Sequence, residues 1–165
     1  MKAERRLEGL GVSPGIAIGV AFVSDDNVAV PEYQLDESQV EPELQRFAAA
    51  VALSVKQLRK LQSKVESLPG SAKEEAGYLL DAHLHMLNSR LVRGVERRIR
   101  ADQINAERAV RDEIAQVASS FADMGDAYLS ARIEDVRVVG ARLVRNLTKT
   151  PFAAIHRLPH GTIIL

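Results

Sequence analysis

The chain contains no cysteine and no tryptophan, and only 4% of its 165 residues are aromatic. The first absence excludes disulfides, thiolate zinc sites and cysteine nucleophiles, and fits a reducing cytoplasm. The scarcity of aromatics leaves little material for a base-stacking platform or a large aromatic ligand pocket. Net charge is absent too. Twenty-two Lys and Arg offset 22 Asp and Glu, so no overall field draws the chain to nucleic acid or to an anionic membrane, and a partner must be recognised by a local patch. No run approaches the roughly 18 consecutive apolar residues of a membrane span, and the charged stretch Met1 to Gly9 lacks the apolar centre of a signal peptide. We expect a soluble, cytoplasmic protein. What is present is 46% hydrophobic composition, enough for one domain, or a domain with part of another, around a real core.

The order of patterns along the chain is strand, helices, strand. Ile16, Ile18, Val20 and Phe22 are bulky, with Ala17, Gly19 and Ala21 small between them. That alternation predicts a strand with one face packed and the other closely approached. Val40, Leu44, Phe47, Val51, Ser54, Leu58, Leu61, Val65 and Leu68 follow at spacings of 4-3-4-3-4-3-4-3, the seam of a long helix packed along a neighbour. Pro42 is expected in its first turn, and Pro69 with Gly70 ends it. Ser71 and Glu74 match a capping box for a second helix running toward Leu87. Asn88 and Ser89 interrupt it, and a shorter segment carries Leu91, Val95 and Ile99 on one side with Arg90, Arg93, Arg97, Arg98 and Arg100 elsewhere. Asn105 is the predicted cap of a third long helix with Ala109 or Val110, Ile114, Val117 and Phe121 buried. The last helix reads Leu129, Ile133, Val136, Gly140, Leu143 and Leu147, with Gly140 placed for a close helix approach.

This order predicts a mainly α fold: an antiparallel helical bundle of two long hairpins inserted into an incomplete α/β domain, with the chain ending soon after it re-enters that domain. The expected boundaries are 1–34 for the first strand or strands, 35–148 for the bundle and 149–165 for the re-entry.

Two motifs carry a family resemblance. The run GVSPGIAIG from Gly11 to Gly19 resembles the first strand of Enzyme I, the phosphoenolpyruvate-protein phosphotransferase of bacterial sugar or nitrogen phosphotransfer systems. Tyr128-Leu129-x-x-Arg132-x-x-Asp135-Val136-Arg137-x-x-Gly140-x-Arg142-Leu143 resembles its last long helix. The resemblance implies a helical subdomain inserted in a swivelling α/β phosphohistidine subdomain. It implies a histidine that takes a phosphoryl group from phosphoenolpyruvate, bound with magnesium by a separate C-terminal barrel. That histidine would pass the group to an HPr-type phosphocarrier, of the sugar or nitrogen branch, docked on the hairpins. The family's histidine closes a glycine-rich stretch ending Thr-Ser-His, which this sequence lacks. We therefore expect no catalytic residue and no cofactor within these residues, the active-site histidine lying beyond Leu165 and magnesium belonging to the parent enzyme.

By the same resemblance Glu74, Glu75, Tyr78, His85, Met86 and Leu91 fall on the carrier-docking helix, joined by Tyr128, Leu129 and Arg132 at the start of the last one. Each has a plainer reading. Met86 and Leu91 are core residues if ordinary helical spacing decides. Leu129 lies on the buried stripe, and Arg132 is a solvated arginine paired with Glu134 or Asp135. Asp81, His83 and His85 do not make a metal site, because only Asp81 and His85 share a face and zinc usually takes three or four ligands. For His83, a packed or capping role is expected. The arginines from Arg90 to Arg100 depart from the acidic stretch of familiar relatives, and a solvated helix face is their usual explanation. The alternative function is a non-enzymatic helical interaction or coiled-coil dimerisation module using the 4-3 seams between chains.

Overall fold

The computed structural model describes residues 14–22, 30–122, 127–150 and 159–164, without side chains for 121–122, 127–132 and 164. The chain divides into two compact units, Asp26–Phe152 and Met1–Asp25 with Ala153–Leu165. Among the described residues, the larger unit holds five α-helices: α1 (Glu37–Val65), α2 (Gly70–Leu87), α3 (Arg90–Asp102), α4 (Ala106–Ala122) and α5 (Ala127–Thr148). α1 with α2 and α4 with α5 form the two expected hairpins, α3 bridges them, and α5 packs on both α1 and α2. Among the described residues no helix is long and apolar enough to cross a membrane.

α1 starts where Gln39 accepts the Asp36 N–H at 2.8 Å. Its seam buries Leu44, Phe47, Ser54 and Leu58, but Leu61 and Leu68 stay 38% and 42% exposed, so the hairpin outruns its partners at that end. Pro42 sits one turn further in than expected. It removes the hydrogen bond to the Ser38 carbonyl, and the helix continues because the next residues are fastened from outside. Glu43 accepts the Ala106 N–H at 2.6 Å, and Arg46 donates to Glu43 (2.6 Å) and to Glu107 (2.6 Å). This cluster caps α4 from α1. Burial pushes the Glu107 carboxyl up, but hydrogen bonds from Arg46 and Asn105 outweigh it and hold the group below the usual carboxylate range.

Two expected caps are corrected. Ser71 lies inside α2, not ahead of it: Gly70 takes φ +57° to reverse the chain and is already the first residue of the helix, with Pro69 at the cap position and no side-chain cap. Asn105 precedes α4 as expected, yet its amide serves the preceding strap. It accepts the Tyr33 N–H at 3.0 Å and donates to the Pro31 carbonyl at 2.8 Å and to Glu107 at 2.9 Å. Full burial explains the choice, since every polar atom of the amide needs a partner. Gly140 behaves as read: a Cβ there would run into the Ile114 side chain, so the glycine sets the α4–α5 spacing.

The smaller unit contains a two-stranded parallel sheet, β1 (Ala21–Phe22) on β2 (Ile163–Ile164), in the register Ala21 to Ile163 and Phe22 to Ile164. The Ile163 N–H donates to the Val20 carbonyl at 2.9 Å. A parallel pair needs a long crossover, and the helical insertion supplies it. Gly19 lies against the Gly161 backbone, as the small side of the strand pattern required. The bulky side departs from expectation. Only two residues pair, and Ile16 and Ile18 are 96% and 95% exposed, because no described element of this unit covers that face.

Candidate functional site

α2 presents two different faces because its residues alternate in helical phase. Leu80, His83 and Leu87 point into the bundle. Glu74, Tyr78, Asp81 and His85, at i, i+4, i+7 and i+11, are exposed in one stripe, with Glu75 and Leu79 exposed beside it. Tyr78 is 67% exposed. Its ring stands at the edge of a cavity of about 410 Å³ between α1 and α2, lined by Gln62, Val65, Lys73, Glu74, Gly77 and Asp81 among others. Gln62 donates to Asp81, and Lys73 pairs with Glu66 at 2.7 Å across the same gap. The surface is thus amphipathic and acidic along α2, with an aromatic centre.

Not every residue expected at this surface is found there. Met86 is half-buried against the core, and Leu91 is a core residue, 6% exposed. The reason is phase: α2 stops at Leu87, Ser89 caps a new helix by accepting the Leu91 N–H at 3.4 Å, and α3 points Leu91 inward with Val95 and Ile99. Tyr128, Leu129 and Arg132 lie on the first turns of α5, and their side chains are outside the described residues. Of the acids that the plainer reading would pair with Arg132, Glu134 lies 3.4 Å from Arg137 and Asp135 lies 3.6 Å from His83. His83 is therefore packed, as expected, where α2 meets α5. Burial lowers its pKa, with the Asp135 carboxylate pulling the other way. His85, two residues on, is exposed, so the two imidazoles belong to different environments.

Sequence reasoning missed the polar tie between α1 and α5. The Asn146 amide donates to Ser54 Oγ at 2.7 Å and receives from Gln57 at 3.0 Å, while Arg142 donates to Gln57 at 3.1 Å. Burial holds the Arg142 pKa below its ordinary value. The signal was visible in Ser54, the one polar member of the α1 seam. Its partner on α5 was not.

Comparison with known proteins agrees with this architecture. The family described as PEP-utilising enzyme, N-terminal, matches residues 8–132. Phosphoenolpyruvate-protein phosphotransferase of Cupriavidus necator is 35% identical over 147 residues, 88% of this chain and 25% of that protein. Its Bacillus subtilis namesake is 30% identical over 145 residues, 87% and 25%. The chain thus spans about a quarter of the length of these relatives. Among solved structures, the NMR solution structure of Enzyme I (nEIt) matches with a TM-score of 0.76 at 32% identity, over 96% of this chain and 64% of that one. The N-terminal domain of Enzyme 1 - Nitrogen shares the fold, with a TM-score of 0.65 at 24% identity over 92% and 61%. The chain belongs to the family of PEP-utilising enzyme N-terminal regions and resembles the N-terminal part of Enzyme I.

Proposed function

We propose that this chain supplies the carrier-docking part of a phosphoenolpyruvate-protein phosphotransferase, holding an HPr-type phosphocarrier for histidine-to-histidine phosphoryl transfer. The observation that carries the reading is the exposed stripe Glu74, Tyr78, Asp81 and His85 over the α1–α2 cavity. Exposed aromatic area ringed by charge is the usual anatomy of an interface centre. The family resemblance adds Tyr128, Leu129 and Arg132, on the first turns of α5, whose next turn meets α2 through the Asp135 to His83 contact.

In this reading none of the four histidines accepts phosphate. In-line transfer needs an imidazole held among donors that offset phosphate charge. His83 is buried, and His85 and His160 are exposed without a glycine-rich loop ending Thr-Ser-His beside them; His156 is outside the described residues. The acceptor histidine, the magnesium and the phosphoenolpyruvate-binding domain belong to the parent enzyme, which works in the cytoplasm. The alternative of an interchain coiled coil has less support, because Leu44, Phe47 and Leu58 of α1 and Val136, Leu143 and Leu147 of α5 are buried within one chain.

The test is an NMR titration of the labelled chain with an HPr-type carrier. Shifts should concentrate on 74–85 and 128–132 and weaken with salt. Shifts elsewhere, or none at millimolar carrier, overturn the assignment. Incubation with phosphoenolpyruvate and magnesium should leave no acid-labile phosphate on the chain.

A further inference from the structure

Between α3 and α4 lies a second cavity, of about 380 Å³, whose walls are two helical stripes: Arg90, Arg93, Gly94 and Arg97 on one side, Glu113, Gln116, Val117 and Ser120 on the other. The volume is at the lower end of the ~300–1,000 Å³ range of small-molecule sites. The helix places Arg90, Arg93 and Arg97 on consecutive turns of one face, with their stems along about 10 Å of groove.

The arginines of this segment do not all have the same fate. Arg98 is engaged by Glu113 at 2.7 Å and by Gln116, and Arg100 by Glu41 at 3.3 Å. Among the described residues, Arg90, Arg93 and Arg97 make no ion pair or hydrogen bond, although like charges one turn apart repel. The one carboxylate in the wall, Glu113, is already offset by Arg98. It also rests against Gly94, where a Cβ would collide with it, so the glycine lets α3 and α4 close under the arginines. Gln116 and Ser120 add polar groups on the opposite wall, and no aromatic ring lines the groove among the described residues.

From this geometry we propose that the α3–α4 groove is a binding site for a small polyanion carrying two phosphate groups. Guanidinium forks recognise phosphate oxygens in pairs and stay charged at every physiological pH. Three of them in a row match two linked phosphates better than a single monovalent ion. With three guanidinium groups in the described wall, recognition rests on the anionic groups of the ligand.

Inorganic pyrophosphate is the probe, titrated into the full chain at low ionic strength and followed by calorimetry and amide shifts. The expected result is saturable one-site binding with shifts at 90–97 and 113–120, weakened roughly tenfold or more by R93Q/R97Q. Arg100→Gln, which removes a charge from the same helix outside the groove, should leave the affinity unchanged. These arginines are exposed, so the helical signal of each variant should match the parent; R97Q alone gives the same reading if the double variant unfolds. Non-saturating shifts, equal losses in R100Q and R93Q/R97Q, or effects reproduced by sodium chloride of equal ionic strength would overturn the site. So would a polyglutamate peptide that binds the groove where pyrophosphate does not, which would make the occupant an acidic protein segment.

Discussion

Replacing Arg46 with methionine isolates the interaction that joins α1 to α4. Arg46 keeps a third of its side chain in water, whereas Glu43 and Glu107 are 8% and 3% exposed, and one guanidinium serves both carboxylates. Methionine retains the apolar stem and removes the charge, leaving two acids in contact with the core. Breaking a buried pair from one side costs about 3–5 kcal/mol. Here the cost is discounted because the arginine is solvent-screened, Glu43 keeps the Ala106 N–H and Glu107 keeps Asn105. About 2–3 kcal/mol remains, or roughly 5–10 °C in Tm at some 2–4 °C per kcal/mol. The sign with pH separates charge from packing. In the parent the Glu107 pKa is lowered, so its stabilisation is present above the unfolded carboxylate pKa and lost as pH falls through the lower folded value. In the variant, burial acts without Arg46 and the carboxyl pKa rises. The Tm gap between parent and variant should therefore be widest near neutrality and start to shrink above about 4.5, as pH falls through the variant's raised carboxyl pKa, and go on shrinking as pH falls toward the parent's lowered one. Thermal melts by circular dichroism from pH 7 to pH 4 measure it. A Tm loss under about 2 °C, or one constant with pH, would show that the cluster is merely solvated surface.

Gly140→Ala should destabilise by about 1–2 kcal/mol, the overpacking against Ile114 exceeding alanine's gain in helix propensity. Ile114→Val in the same chain should recover part of it, and a more stable G140A would refute the close approach. Leu91→Ala should cost about 2–5 kcal/mol as a core truncation; Tyr78→Ala should leave stability within about 0.5 kcal/mol and weaken carrier binding roughly tenfold. Denaturant melts and carrier titrations on both variants check the assignment, and the reverse pattern would exchange the two roles. His83 has its pKa lowered by burial, so its contribution is present above the unfolded value of 6.5 and lost as pH falls through the folded one. His83→Leu should remove that part of the acid sensitivity, and an NMR titration midpoint above 6.5 for His83 would refute it.

The long helices were legible because their signals are local. The 4-3 spacing of Leu44, Phe47, Ser54 and Leu58 names a buried face without knowing its neighbour, and Gly140 announces a close approach without naming Ile114. Legibility fails where a residue's role depends on a distant one. Arg46 and Glu107 are 61 positions apart, and nothing local tells Arg46 from the other arginines. Asn105 has the residue type of a cap, yet its amide is taken by Pro31 and Tyr33, 74 and 72 positions away. Ser71 and Glu74 have capping-box spacing, but one left-handed glycine shifted the start of the helix ahead of them. The candidate site divides along the same line. Tyr78 and His85 could be placed on one face by counting along α2, whereas Leu91 follows a helix break that resets the phase.

The strong polar ties lie away from the proposed docking stripe. Glu43, Arg46, Asn105 and Glu107 fasten α1 to α4, and Ser54, Gln57, Arg142 and Asn146 fasten α1 to α5 near the middle of the helix. Beyond Leu58 the described contacts of the α1–α2 hairpin include buried Leu80, half-buried Val65 and two solvent-open pairs, Gln62 to Asp81 and Lys73 to Glu66. Exposed pairs of this kind contribute under about 1 kcal/mol each. The α1–α2 tip, with Glu74 and Tyr78 on it, is therefore expected to show lower amide protection in hydrogen exchange than the fastened middle of the bundle, and equal protection would refute this. A surface that binds, transfers and releases a carrier gains from that placement. If the proposed docking is right, burial of the 67% exposed Tyr78 under a carrier would add apolar contact to this end of the hairpin.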